Sequence, residues 1–240
     1  MTTATERVEL ARLIPGVGQI DYIETEKSRA YWFTAEGNKR RSRFPSVTTI
    51  LRATWPKPAL LEWYARHGAE AETLLEIAAN RGKAVHRFVQ VYMETGDLMD
   101  VSDYPPEFQP YLRGVARFLW EADPQPLAVE QLIVHPEYRY AGRLDLIAMV
   151  GGKRTLLDFK SNPRGRIYTE AHVQATAYAI ANERCGDAPV EQTLLIGVSD
   201  AGDYFPVIGG DAVKLWGNVL AFYGEMRKFE RTTTGGGEDE

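Results

Sequence analysis

Cysteine is almost missing from this chain. Cys185 is the only one, which excludes an intramolecular disulfide and any Cys-rich zinc or iron–sulfur site. It reads as a small, partly buried residue near a helix end. Long apolar runs are also missing. None approaches the ~20 residues that span a bilayer, so no membrane partner is expected. The opening stretch Met1–Gly16 lacks the basic-then-apolar pattern of a secretory signal, and a cytoplasmic location is expected. Excess positive charge is absent as well. Lys and Arg number 28 against 33 Asp and Glu, for a net charge of −5. That balance argues against a protein that coats nucleic acid through its phosphates. It argues less against an enzyme that gathers acids at one metal site and bases around its rim. No repeat and no internal low-complexity linker divides the chain.

What is present suits a packed domain. The 240 residues are 44% hydrophobic and include five Trp, nine Phe and twelve Tyr. That is enough for one generous domain, or a core with appendages. Residues 1–68 are predicted to be an N-terminal hairpin and helical extension packed on a core over 69–231. The acidic, Gly-rich tail 232–240 is expected to be disordered. Ile20–Thr25 and Ala30–Thr34 read as two strands, followed by a short apolar run from Val47 to Leu51 with Ser46 as its N-cap. A helix is predicted over Pro58–His67, with Leu60, Leu61 and Tyr64 on one face. Further helices are predicted over about 69–95 and 107–121. Three strands follow, over 127–134, 138–150 and 153–160, with Gly151-Gly152 as the tight turn between the last two. Thr169 is expected to cap a helix running to Asn182. Strands over 190–198 and 204–208 and a closing helix over 211–231 complete the order. The pattern predicts an α/β (α+β) fold with a mixed central β-sheet flanked by helices.

Three strand residues carry chemistry. Asp158 and Lys160 are two apart and so share a face, while Leu157 and Phe159 point the other way. Asp145 lies about as far from the Gly-Gly turn as Asp158, so the two carboxylates can meet across the strand pair. Two carboxylates suit a hard divalent cation such as Mg²⁺. An adjacent lysine can orient or help deprotonate a metal-bound water, and can offset charge on a reacting phosphodiester. An ordinary cross-strand ion pair is the competing reading of Asp-x-Lys. On the next helix, Gln174 and Tyr178 are four apart and share a face, from which they can reach a phosphate or brace the lysine. His86 follows Gly82 by one helical turn, which leaves room beside its ring; a packed helix histidine is the alternative. Glu130 is either an outer carboxylate of the site or a surface strand residue. The dense basic stretch Lys39, Arg40, Arg41 and Arg43 is either a solvated hairpin end or a phosphate-contacting rim. His67, His135 and His172 read as surface residues.

Four segments then form a pattern. Arg81-Gly82-Lys83-Ala84-Val85-His86, Gly142-Arg143-Leu144-Asp145, Asp158-Phe159-Lys160-Ser161 and Gln174-Ala175-Thr176-Ala177-Tyr178 together resemble the PD-(D/E)XK nuclease superfamily. The resemblance is to its RecB-like branch, which includes CRISPR-adaptation and phage exonucleases, and it covers roughly residues 80 to 200. It implies a restriction-endonuclease-like core. It also implies a divalent metal, Mg²⁺ or Mn²⁺, held by His86, Asp145, Asp158 and the backbone oxygen of Phe159. Lys160 corresponds to the motif lysine, and Gln174 and Tyr178 to the family's Gln…Tyr helix. Two departures, Leu144 in place of proline and Asp158 in place of glutamate, are usual in this branch. The cysteines that hold an iron–sulfur cluster in several relatives are missing, so no such cluster is expected. The segment Pro45–Leu51 resembles the opening of phage-encoded members, for which the location would be the host cytoplasm.

The function this implies is metal-dependent hydrolysis of DNA phosphodiesters in repair, recombination or phage replication. No base-reading module is evident, which favours an exonuclease acting on ends or single strands. The alternatives are a site-specific or structure-specific endonuclease, and a non-catalytic nucleic-acid-binding subunit. A homo-oligomer, or a partner protein of recombination or replication, is compatible with the resemblance.

Overall fold

The computed structural model describes residues 8–25 and 28–233. Its N-terminal part is an antiparallel sheet of four strands in chain order: β1 (Val8–Ile14), β2 (Gly18–Glu24), β3 (Arg29–Ala35) and β4 (Ser42–Phe44). The single hairpin expected from the sequence is its middle pair. There Ile20, Tyr22, Tyr31 and Phe33 are buried with period two, the signal that strand reading detects. β1 escapes that reading because it is an edge strand, exposed from Val8 to Ala11. β4 escapes it because it has only three residues.

Helix α1 (Val47–Thr54) starts where Ser46 Oγ accepts the Thr49 N–H at 3.0 Å, as the sequence predicts. Val47, Ile50 and Leu51 form its buried face. Helix α2 (Pro58–His67) has Pro58 in its first turn, yet buries no residue. The apolar face predicted for it stays uncovered, with Leu61 72% exposed. A 3-10 turn over Gly68–Glu70 delays the start of α3 (Ala71–Thr95) by two residues from the predicted position. Gly96, at φ 79°, ends α3 by donating its N–H to Tyr92 O at 2.8 Å. Helix α4 (Gln109–Ala122) completes the helical segment.

The second sheet has five strands in chain order: β5 (Gln125–His135), β6 (Tyr140–Val150), β7 (Lys153–Ser161), β8 (Gln192–Val198) and β9 (Tyr204–Ile208). Neighbours are antiparallel except β7 and β8, which are parallel. A parallel pair needs a crossover, and α5 (Thr169–Arg184) supplies it. Tyr168 occupies the cap position of α5 without a side-chain bond, and Thr169 is already helical. Helix α6 (Val213–Thr233) closes the described chain. Thr232 and Thr233, predicted to belong to the disordered tail, are part of α6; residues 234–240 of that tail lie outside the described residues.

Each face of the five-stranded sheet is covered. On one, Val85, Phe88 and Val89 of α3 and Leu112, Val115 and Leu119 of α4 pack with Leu157, Phe159, Ile196 and Val198. Burying such side chains is worth about 1.5–3 kcal/mol each before entropy is subtracted. On the other, Val173, Ala177 and Ala181 of α5 and Trp216 of α6 join Ile133, Ile147, Leu156 and Leu195. The N-terminal sheet contributes Ile20, Tyr22 and Phe33 to this same cluster. The result is an α+β fold, one antiparallel and one mixed sheet flanked by helices. Among the described residues no helix is long and apolar enough to cross a membrane.

Candidate metal centre

The β6–β7 hairpin sets the geometry. Gly151 and Gly152 take φ of 56° and 79°, a conformation that glycine adopts without steric penalty. The turn fixes the register Val150↔Lys153 through Leu146↔Leu157. One step further, that register brings Asp145 opposite Asp158, on one face of the sheet. On the other neighbour, the pairs Val129↔Leu146 and Gln131↔Leu144 flank Glu130 and put it opposite Asp145. A register shift between Pro126 and Ala128 precedes it. Glu130 itself has φ 48°, unusual for a non-glycine strand residue and of order 1–3 kcal/mol in strain.

His86 reaches the sheet from α3. Its buried neighbours Val85 and Val89 hold that stretch of helix against the core. Beside it, Gly82 has no heavy atom within 4 Å of where a Cβ would stand, so the space predicted there is open. His86 Nδ1 lies 3.2 Å from Asp145 Oδ1. Donor atoms of His86, Glu130 and Asp145 all fall within 4.8 Å of one another. These three are the group that converges as a metal-ligand set among the described residues. Glu130 also pairs with Arg143, Oε2 to Nε at 2.7 Å. The second Asp145 oxygen accepts the Phe159 N–H at 3.3 Å.

Asp158 belongs to an adjoining network. Its side chain is 1% exposed. Lys160 Nζ donates to Asp158 Oδ1 at 3.0 Å and stands 2.7 Å from Oδ2. The Oδ2 atom is nevertheless a buried acceptor without a well-directed hydrogen bond. Lys160 also donates to Gln174 Oε1 at 3.2 Å. Gln174 Nε2 donates to Tyr178 OH at 3.2 Å and, at 3.4 Å, to Asp158 Oδ1. Gln174 and Tyr178 thus face the lysine from α5, the bracing arrangement that their spacing allows. The Tyr178 ring lies on Gly142, where an added Cβ would stand 2.7 Å from Cε1.

Charge divides unevenly over these groups. Burial works against ionised Asp145, but His86 and then Lys160 outweigh it and hold its carboxyl below the usual value. Burial raises Asp158, against the pull of Lys160, and the Asp145 charge raises it further. Glu130 is pushed up to about 7 by burial and by Asp145, with Arg143 opposing. Burial disfavours the Lys160 ammonium, but Asp158 and Asp145 more than compensate and hold it above the ordinary lysine range. Lys160 therefore stays charged at neutral pH.

A divalent cation fits this donor set. Two carboxylates and an imidazole on three separate elements match the oxygen and nitrogen donors that a hard to borderline ion such as Mg²⁺ or Mn²⁺ takes. A bound cation would offset the Asp145 charge that, with burial, raises Glu130. Sequence reasoning placed Glu130 at the edge of the site and passed over Arg143 as a partner. The signal was available in the antiparallel register that sets Glu130 opposite Asp145. The Phe159 ring is buried against Phe118 at 5.8 Å, so the backbone of Phe159, rather than its side chain, faces the site.

The remaining candidates lie apart. Arg40, Arg41 and Arg43 line a groove beside the N-terminal sheet, and the exposed Lys39 is not part of that lining. His135 was expected at the surface and is instead 2% exposed. It is stacked between Tyr138 and Tyr140 at 4.4 and 5.3 Å, because β5 extends one residue beyond the predicted strand. His172 is half-buried and accepts the Gly210 N–H at 3.0 Å. His67 stacks on Trp63 at 4.4 Å. Cys185 stands at the end of α5, as predicted, but is buried rather than partly buried, and accepts the Val134 N–H at 3.3 Å. No family model matches the chain, and comparison with curated proteins finds no match.

Proposed function

We propose that this chain is a metal-dependent deoxyribonuclease of the PD-(D/E)XK superfamily, RecB-like branch, acting on DNA ends. The observation that carries the reading is the convergence of His86, Glu130 and Asp145 beside the Lys160–Asp158–Gln174–Tyr178 network. It sits on a sheet whose helix–three strands–helix–strand order is the one that resemblance implies.

His86, Glu130 and Asp145 would hold Mg²⁺ or Mn²⁺, with Asp158 and the Phe159 carbonyl as the neighbouring oxygens that the resemblance adds. When bound, such an ion lowers the pKa of a coordinated water and stabilises charge on a phosphodiester oxygen. The protein supplies the rest. Lys160, as an ammonium, places positive charge and a proton donor at the reacting phosphate. Asp158 and Gln174 fix where that ammonium points. Tyr178 fixes Gln174, and Gly142 lets the tyrosine approach. Arg143 holds Glu130 in place through its ion pair at 2.7 Å.

The test is cleavage of 5′-labelled linear DNA and of covalently closed circular DNA with Mg²⁺, with Mn²⁺, and with excess chelator. End-directed cleavage requires a cation, spares the circle and stops with chelator. Cutting of the circle would make the enzyme an endonuclease. Binding without cleavage under every cation would indicate a non-catalytic binding subunit.

A further inference from the structure

We propose that single-stranded DNA lies in the groove between the N-terminal sheet and α6, and that this groove leads to the His86–Glu130–Asp145 cluster. The proposal rests on the nuclease reading and names the form of its substrate and the path it takes.

The groove encloses about 2560 Å³ and is walled by β3, β4, α1, α6 and the β5–β6 turn. Its charge is opposite to that of the molecule. Of 28 Lys and Arg in the chain, 11 line it, and of 33 Asp and Glu, only 3 do. Those three acids are already paired: Glu24 with Arg29 at 2.7 Å, Glu170 with Lys57 at 3.1 Å and Glu137 with Arg184 at 2.7 Å. By contrast Arg40, Arg43, Arg52, Lys83 and Arg231 have no acidic partner among the described residues. A net −5 protein that concentrates unpaired guanidinium groups in one groove offers an electrostatic track for a polyanion. Arginine dominates the lining, and its planar fork suits phosphate.

Aromatic faces select the single strand. Trp32 lies in the groove under the Arg41 guanidinium, 4.6 Å from it. Tyr138, 62% exposed, also lines the groove and is held flat against His135 at 4.4 Å. Basic groups interleaved with rings suit unpaired bases, which can stack, whereas the bases of a duplex are occupied with each other.

No residue of the cluster lines the groove, but two elements that contribute to its lining, α3 and α5, also carry site residues. Lys83 lies three residues before His86 on α3, and Glu170 four before Gln174 on α5, so each shares a face with its site residue. Tyr31 of the groove packs on Tyr22 at 5.0 Å. The Arg143 guanidinium lies 5.1 Å from that Tyr22 ring, and Arg143 holds Glu130.

The experiment is fluorescence anisotropy of the full chain with labelled (dT)20 and with a 20-base-pair duplex, in chelator, over a range of salt. The single strand should bind more tightly than the duplex, with strong salt dependence. The triple variant Arg43→Ala/Arg52→Ala/Arg231→Ala should lose at least roughly tenfold in affinity and flatten the log–log salt slope by about 2, the share of three phosphate contacts on a single strand. The Arg→Lys triple retains the charge, should keep most of that slope, and serves if the Ala triple folds poorly. In Mn²⁺ the Ala triple should still hydrolyse the p-nitrophenyl ester of thymidine 5′-phosphate while cleaving long strands slowly. Unchanged binding by the Ala triple, or preference for duplex or for anionic phosphatidylserine vesicles, would overturn the groove and leave the nuclease reading standing. Triple-sensitive strand binding with no cleavage of any substrate by wild type would do the reverse.

Discussion

Lys160 is held by two groups at once, the Asp158 carboxylate and the Gln174 amide oxygen. Its raised pKa makes it a source of positive charge at neutral pH and a poor base. Lys160→Ala should lower single-turnover cleavage by roughly 10²-fold or more, the scale of losing one electrostatic or proton-donating group, while Mn²⁺ affinity holds or rises. It should also lower stability by about 1–3 kcal/mol, because buried Asp158 loses its partner. If Lys160 only neutralised Asp158, cleavage by Lys160→Ala would stay within a few-fold of wild type. Glu130 gives a second test at this scale. At φ 48° a glycine is relaxed and an alanine strained. Glu130→Gly should therefore be more stable than Glu130→Ala by about 1 kcal/mol in denaturant unfolding, the reverse of the usual strand order. Both should lose Mn²⁺ affinity, whereas a Glu130 outside the metal shell would leave that affinity unmoved. Asp145, Asp158 and Lys160 were legible from the period of two and a symmetric hairpin. The inclusion of Glu130 was harder to read, because it depends on a third strand whose register shifts near Pro126.

Among the elements, α5 links site and core. Its buried residues Val173, Ala177 and Ala181 anchor it on the sheet, while Gln174 accepts from Lys160 and donates to the Tyr178 hydroxyl. Gly142→Ala would place a methyl group 2.7 Å from the Tyr178 ring. That clash should cost about 1–3 kcal/mol and displace Gln174 from Lys160, lowering cleavage while sparing Mn²⁺ binding. Unchanged melting temperature and cleavage in Gly142→Ala would mean that Tyr178 has no bracing role. Elements with a repeating apolar face, such as α3 and β7, could be read from sequence. β1 could not, since no face of it alternates. α2 shows the opposite failure: its apolar residues predict a packed face, but none of them is buried and Leu61 stays 72% exposed. Pattern reports a capacity for burial, and tertiary structure decides whether it is used.

At the scale of the whole molecule, the N-terminal sheet is part of the main core, because Ile20, Tyr22 and Phe33 share a cluster with Ile133, Leu156 and Trp216. That shared burial ties the sheet that carries Trp32 and Arg43 to the sheet that carries Glu130 and Asp145. The central claim is that this assembly hydrolyses DNA through a divalent ion held by His86, Glu130 and Asp145. Its most direct test is single-turnover cleavage of 5′-labelled DNA in Mn²⁺ by wild type and by Asp145→Asn purified in parallel, with Mn²⁺ binding measured by calorimetry on both. The account predicts chelator-sensitive cleavage by wild type, and loss of both Mn²⁺ binding and cleavage in Asp145→Asn. Equal cleavage by the two proteins, or cleavage that persists in excess chelator, would contradict it.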